Sequence, residues 1–415
     1  MFEELIKKIF YLDRSLLGPA NNEALEYIAR HVPLRLLSFP SGQSVYDWEI
    51  PQEWVLKTGI LREKGGPIIC NASHNILNIV NYSQSYRGEM SYQDLLPHLH
   101  FSDINPECIP YRTSYYSRNW GFCLPKKQFI SLDSGATYDV EIEANFVNSE
   151  MKLGELKIPG RHKKEIIFTA YLCHPLQFHD GLSGVACLLE IYNKLKKEDN
   201  FYTYRFFFLP ETIGPIALLA NKIINPQNVD FCFISTCVSY GDRIKYKKSF
   251  IGNHPIDNII SSMANVECVD FFPNGSDERQ FSSPKIRIPT SSIMRAIYGE
   301  YPQYHTSGDD LSLINYDNII EIANMHIKVL ERYEERTCYI ICHDGCEPFL
   351  SKKNLYREIG ATRDSYFDQL RNWIIFLSDG THSILDISKK LEVSLDKVEK
   401  CVIILEEKGV IRKKL

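Results

Sequence analysis

The sequence predicts an α/β fold, a mixed, mostly parallel sheet flanked by helices, with a small β-rich insertion before its core and a helical module after it. Three observations predict this. From about residue 165, short apolar runs rich in β-formers alternate with segments of helical periodicity. Residues of about 50 to 150 instead carry short runs separated by Pro, Gly, Asn and Ser clusters. The last 65 residues read as three helices and a terminal basic strand.

The alternating region supplies the core. "EIIFTAYLC", "YRFFFL", "VDFCFIST" and "KIRIPTSSIM" read as strands, and "SGVACLLEIYNKLKK", "TIGPIALLANKI", "DNIISSMANV" and "NYDNIIEIANMHIKVLERYEER" as helices. Such alternation predicts a sheet covered on both faces, with ligand sites at the carboxyl ends of its strands. Runs such as "PIICNAS", "LNIVNYS", "QFISLD" and "TYDVEIEANF" make the insertion β-rich. The first 45 residues read as helical and able to pack back on the core. The expected boundaries are 1–50 for the N-terminal part of the core domain, 51–149 for the insertion, 150–350 for the α/β core and 351–415 for a winged helix-turn-helix.

Composition narrows the function classes. With 44% apolar residues, 24% charged residues and a formal net charge of −5, nothing calls for a nucleic-acid or membrane surface. The helix in the recognition position of the last module carries Asp396, Glu399, Glu406 and Glu407, which would repel phosphates. The amino-terminal stretch lacks the h-region of a signal peptide, and no run reaches membrane-span length, so a cytoplasmic location is expected. The 12 cysteines are scattered, several within apolar runs, which suits reduced thiols. Composition leaves a homo-oligomer open.

Four stretches could carry metal chemistry, which needs ligands at loop mouths, an open coordination position and a carboxylate to accept a proton from water. "YLCHPLQFHDGLSG" offers His174, His179 and Asp180; "FFFLPETIG" offers Glu211; "YPQYHTSGDD" offers His305, Thr306 and Asp309; "NGSDERQF" offers Asp277 and Glu278. Read alone, each has an ordinary alternative. Asp180 could cap the next helix, Glu211 could be a helix N-terminal acid, and the other two stretches could be solvated loops.

Their joint order resembles the zinc aminopeptidases. In that family a strand-end histidine precedes an aspartate four residues before the glycine of a Ser-Gly helix start, as His174 and Asp180 do here. The general-base glutamate lies three residues before a glycine, as Glu211 does, and the last ligand opens a His-Thr-x-x-Asp loop, matched by His305 to Asp309. The Ser-Asp-x-x-x-Phe turn is matched by Ser276 to Phe281. A longer resemblance runs through "YDWEIPQEW", "IPYRTSYYSRNWGFCL", "CHP", "PETIG", "GSDERQ" and "YGEYPQYHTSGDDL". It identifies the chain as similar to the bacterial aminopeptidase-like family, whose members carry an inserted β-rich domain and a winged helix and often accompany surface-polysaccharide genes.

The resemblance implies a hydrolase of a peptide or an amide-bearing sugar, holding zinc, one ion rather than two, through His174, Asp180 and His305. Glu211 would be base or fourth ligand, with Glu278 or Asp277 as base in the latter case. Asp309, with Thr306 beside it, would orient His305, and the insertion would shape access to the cleft. Arg279, Arg295, Arg112 and Tyr298 lie in the matching motifs as candidate substrate contacts. A non-catalytic binding or regulatory protein is the alternative, because the set departs from the two-zinc pattern. Thr212 stands where a second glutamate ligates, Leu176 where an aspartate orients the first histidine, Thr236 and Cys237 where a further aspartate is expected, and Glu278 in place of a histidine. Cys338, Cys342 and Cys346, with His343, have metal-like spacing but read as one stripe of a continuing helix.

Overall fold

The computed structural model describes residues 2–115, 117–335, 337–355 and 366–414. They form two compact units, 1–327 and 328–415. In the first, α1 (Glu3–Phe10) and α2 (Pro19–Ala29) precede β1 (Arg35–Pro40). An antiparallel sheet follows, built from β2 (Glu53–Glu63), β3 (Ile68–Asn71), β4 (Tyr86–Ser91) and β5 (Thr137–Val147) in the order β3-β2-β5-β4. The main sheet then takes β6 (Glu150–Ile158), β7 (Glu165–Tyr171), β8 (Thr203–Leu209), β9 (Val229–Ile234), β10 (Ile244–Lys247), β11 (Val266–Val269) and β12 (Thr290–Met294). Between them run α3 (Ser183–Leu195), α4 (Ile213–Ala220) and α5 (Pro255–Ser261), and α6 (Tyr316–Glu335) follows.

With β1 the main sheet has eight strands in the order β1-β6-β8-β7-β9-β12-β10-β11. Its middle, β8-β7-β9-β12, is parallel, and antiparallel strands flank it. Every residue of β8, β9 and β12 is buried, as expected of parallel strands covered on both faces. The chain leaves β7 through α3 to β8 on one side and returns through α4 to β9 on the other. That reversal opens a crevice at the carboxyl end of β7, where ligands of such sheets bind. At Gly184 in α3, an added Cβ would lie 1.8 Å from the Ser235 carbonyl oxygen, so the helix reaches the end of β9 only because a glycine is there.

Some local expectations give way. Residues 35–40 are a strand because they pair along β6. The run "QFISLD" begins in a helical turn, Lys126–Ile130, started by Pro125. Cys338 to Ile341 form a strand, not a continuing helix, because both edges pair in the second unit. That unit contains β13 (Cys338–Ile341), α7 (Tyr366–Leu377), β14 (Asp379–Ser383), α8 (Ile384–Leu391), α9 (Leu395–Glu407) and β15 (Ile411–Lys413), the arrangement of a winged helix. No described helix is long and apolar enough to cross a membrane.

One core group makes the fold acid-sensitive. His326 of α6 is fully buried against Phe168 and Phe233, donates from Nδ1 to the Ile322 carbonyl at 2.8 Å and leaves Nε2 without a partner. Burial pushes its pKa down from 6.5 to about 4, the bond to Ile322 opposing. Between these values the folded state binds fewer protons than the unfolded chain, so this contribution is complete above pH 6.5 and is lost as pH falls through about 4. His326→Leu is expected to keep about 2–3 kcal/mol more of its neutral-pH stability at pH 4 than the parent does. Urea unfolding against pH reads this directly, and parallel curves for the two proteins would refute it.

Candidate metal centre

Four strand ends build the centre. His174 follows β7, Glu211 follows β8, Thr236 follows β9, and His305 stands on the loop after β12. Asp180 lies in a π-type turn, Phe178–Leu182, where its own backbone and that of Gly181 (φ 117°) leave helical geometry before α3 begins. Leu182, which caps α3, makes no side-chain cap, and neither Asp180 nor Glu211 serves as a helix cap. The capping reading of Asp180 therefore fails, while Glu211 lies directly before the cap residue Thr212 of α4.

The Asp180 carboxylate organises the site. Its Oδ1 accepts from the Tyr171 hydroxyl and from Thr236 Oγ1 (3.1 Å). Its Oδ2 is left facing two imidazoles, 2.9 Å from His305 Nε2 and 3.4 Å from His174 Nδ1. The other ring nitrogen of His174, Nε2, stands 3.4 Å from Glu211 Oε2. His174, Asp180 and His305 each offer one ligand atom, all within 4.8 Å of one another. Exposure rises across the group, from 1% for Asp180 and 3% for His174 to 19% for Glu211 and 34% for His305, so the centre opens on the Glu211 and His305 side.

This set fits a zinc ion. Two imidazoles and a carboxylate are zinc donors, and bonds of about 2 Å to one ion bridge such separations. His174 Nδ1 is buried with no hydrogen-bond partner, as an unfilled ligand would be. The electrostatics agree. Burial alone would push the Asp180 carboxyl up, but His174 and His305 outweigh it and hold it well below the usual carboxylate range. Burial likewise opposes the His174 imidazolium, but Cys173 and Asp180 outweigh it and lift its pKa well above the usual value. The pocket stabilises positive charge between its ligands.

The surroundings hold these groups in place. Asp309 does not pair with His305, contrary to expectation. Its carboxylate accepts instead from the backbone N–H groups of Phe178 (3.2 Å), His179 (2.5 Å) and Asp180 (3.0 Å) and from the Tyr301 hydroxyl (2.8 Å). The turn that aims Asp180 is thus built on Asp309. The His305 ring is fixed by stacking on Tyr304, with centroids 3.9 Å apart. His179 turns away, its Nδ1 accepting from the amides of Ser239 (3.3 Å) and Tyr240 (3.2 Å). Burial lowers its pKa to about 3, so the ring is neutral. Leu176, Thr212, Cys237 and His305 all have φ between 50° and 66°. Left-handed backbone at such residues costs roughly 1–3 kcal/mol each and persists where neighbours enforce it, a frequent property of functional loops.

The other sequence candidates separate. Asp277 Oδ1 accepts from Thr212 N at 2.7 Å, and burial, followed by the Glu211 charge, pushes its carboxyl well up. Arg279 is exposed and donates to Thr212 Oγ1 at 3.1 Å, at the rim beside Glu211. Glu278 is taken up in a buried cluster, accepting from Ser292 Oγ (2.7 Å) and Tyr298 (2.9 Å) with Lys247 Nζ 3.6 Å away. Arg295 is buried in an ion pair with Glu321, and Arg112 is exposed with its charge acting on His100 and Cys123. Thr306 Oγ1 donates to the Gln303 carbonyl and bonds Gly308 N within its own loop. None of the described hydrogen bonds or ion pairs joins the side chains of Arg295, Arg112, Tyr298 or Glu278 to those of His174, Asp180 or His305. The described cysteines of 338–346 form no metal cluster with His343.

Tyr171 and Tyr111 as neighbours of the site, and the role of Thr236, escaped the sequence reading. Tyr171 and Thr236 orient Asp180, and the Tyr111 ring lies 5.4 Å from both His174 and His305. Tyr111 reaches the centre because Tyr111 N bonds the His305 carbonyl and Ser307 N bonds the Ile109 carbonyl, each at 2.7 Å. Its motif "IPYRTSYY" was visible, but a tyrosine in a loop gives no signal of what it will face. Arg14 is buried and donates to the Leu172 carbonyl at 3.0 Å, two residues before His174.

The fold is that of aminopeptidase-like proteins. A zinc aminopeptidase from Bacillus subtilis aligns over 79% of this chain and 94% of its own, with a TM-score of 0.55 at 13% identity. A peptidase M28 precursor from Shewanella amazonensis aligns over 79% and 91%, with a TM-score of 0.57 at 11% identity. These likenesses concern the fold. The chain itself belongs to the family described as a domain of unknown function, DUF4910, which matches residues 3–336, and a winged helix-turn-helix family matches residues 337–413. A Clostridium acetobutylicum relative, provisionally named a polysaccharide biosynthesis protein with aminopeptidase-like domain, is 36% identical over 93% of this chain and 90% of its own. A crystal structure from the same organism, provisionally described as a peptidase, aligns over 99% of this chain and 95% of that one, with a TM-score of 0.76 at 33% identity.

Because three backbone amides of the Asp180 turn rest on Asp309, Asp309→Ala is expected to destabilise the chain by about 3 kcal/mol or more and to weaken zinc binding at least tenfold. Calorimetric melting and zinc titration measure the two effects. Zinc affinity unchanged in the folded variant would show that Asp309 does not position Asp180.

Proposed function

We propose that the protein is a zinc-dependent hydrolase of the aminopeptidase type that cleaves a peptide or another amide bond. The convergence of His174, Asp180 and His305, with Glu211 at their solvent side, carries the reading. Zinc held there would polarise a carbonyl and lower the pKa of water. His174, Asp180 and His305 would hold one ion and leave a fourth position open. Two places where a second ion would find carboxylates instead carry Thr212 and Thr236, and Thr236 is spent on Asp180, which favours one ion.

Glu211 lies outside the three-residue ligand group, is partly exposed and has a carboxylate able to accept a proton at Oε2. Asp277 lies beside it, its carboxyl pushed well up by burial and then by the Glu211 charge. Arg279 at the rim provides a planar fork for a carboxylate on the substrate. The relative's name also points to polysaccharide biosynthesis, so an amide-bearing sugar is a second substrate class to try beside peptides.

Protein purified without chelator is expected to hold about one zinc per chain, lost in His174→Ala and His305→Ala. Glu211→Gln should keep the metal and lose roughly 10²- to 10⁴-fold in turnover of amino-acid anilides, peptides or amide-linked sugars. Elemental analysis and initial rates give both quantities. Zinc bound with no Glu211-dependent turnover on any of them would replace the hydrolase with a binding role.

A further inference from the structure

A groove of about 640 Å³ lies between residues 13–21 and the strand β2, closed by residues 71–81. Its volume is in the range of ligand sites. Along β2, β5 pairs one edge over the whole length, whereas β3 pairs the other only from Ile60 to Arg62, extended by Ala72 N to the Gly59 carbonyl. Among the described residues, no backbone hydrogen bond reaches the outer edge of Glu53–Thr58. A bulge in the pairing with β5 between Leu56 and Thr58 shifts the register, and Glu53 to Leu56 before it form a short open edge facing the groove.

The charges in the groove favour one kind of occupant. Lys57 is neutralised by Glu143 at 2.7 Å. Asp13 and Glu53 also line the groove, and the described hydrogen bonds and ion pairs give neither carboxylate a side-chain partner. We propose that the groove takes a short extended cationic peptide segment, added as a strand to the outer edge of Glu53–Leu56, with its basic side chains toward Asp13 and Glu53. Main-chain bonds would supply the binding and the two carboxylates the selectivity.

The groove also abuts the supports of the metal centre. Asp13 and Ser15 line it, while Arg14 between them is buried against the Leu172 carbonyl. Ser15 Oγ donates to Asn81 Oδ1 at 2.9 Å, and Asn81 bonds through its backbone to Arg112 and Ser114, which lie between Tyr111 and Tyr115. Trp54 stacks on Tyr82 (6.1 Å), Tyr82 meets Tyr115 (5.9 Å), and Tyr115 meets Tyr111 hydroxyl to hydroxyl at 3.5 Å. A segment seated in the groove therefore touches Trp54 and Asn81, which connect through Tyr82 and Tyr115 to Tyr111, the ring packed against His174 and His305. The inference needs neither zinc nor hydrolysis.

The test is fluorescence anisotropy of labelled Lys-Val-Lys-Val-Lys-Val on the full, zinc-stripped chain. Saturable binding is expected, abolished by N-methylation of one alternate set of residues and kept on methylation of the other, since a strand added at an edge uses every second N–H. The double variant Asp13→Asn, Glu53→Gln should bind about tenfold more weakly, and Glu-Val-Glu-Val-Glu-Val should not bind. No saturation at millimolar peptide, equal effects of the two methylation patterns, or unchanged affinity in the double variant would each overturn the proposal.

Discussion

The division of labour between the two oxygens of Asp180 is the constraint on which the site depends. A carboxylate that is 1% exposed is costly unless its charge is met, and here Oδ1 is held by two hydroxyls so that Oδ2 faces two imidazoles. If the carboxylate rotated, His174 and His305 would lose the acceptor between them. The π-type turn, the three amides bound by Asp309 and the glycine contact that seats α3 all serve this orientation.

The segment between β1 and β6 is part of the same support. Its Ile109–Tyr111 stretch bonds the loop that bears His305, and Tyr111 packs against both histidines. His174, Asp180 and His305 all stand on the main sheet's loops, but the wall behind the two histidines comes from a segment folded mainly on its own antiparallel sheet. A rigid scaffold carrying a strained, loop-built site is a common solution, because the sheet absorbs the cost that the loops impose.

The replacements at 212 and 236 are chemically coherent. Thr236 spends its hydroxyl on Asp180, and Thr212, in left-handed backbone, presents its N–H to Asp277 and its hydroxyl to Arg279. Both position their neighbours. Deep in the turn beside the site, Glu278 Oε1 accepts from Ser292 and Tyr298, with Lys247 donating to Tyr298.

By itself the sequence determined the alternation of strands and helices, hence a sheet covered on both faces, and it determined which residues stand at strand ends, because apolar runs stop where His174 and Glu211 begin. The motif order also marked Asp180 and His305. Only tertiary structure decided what each side chain faces: that Asp309 holds backbone and not His305, that Arg295 is spent on Glu321, and that Tyr171, Thr236 and Tyr111 complete the centre. The physical reason is range. Periodicity and capping are set by neighbours within a few residues, whereas these partners are separated by up to about two hundred positions and meet only when the sheet order and the strained loops are in place.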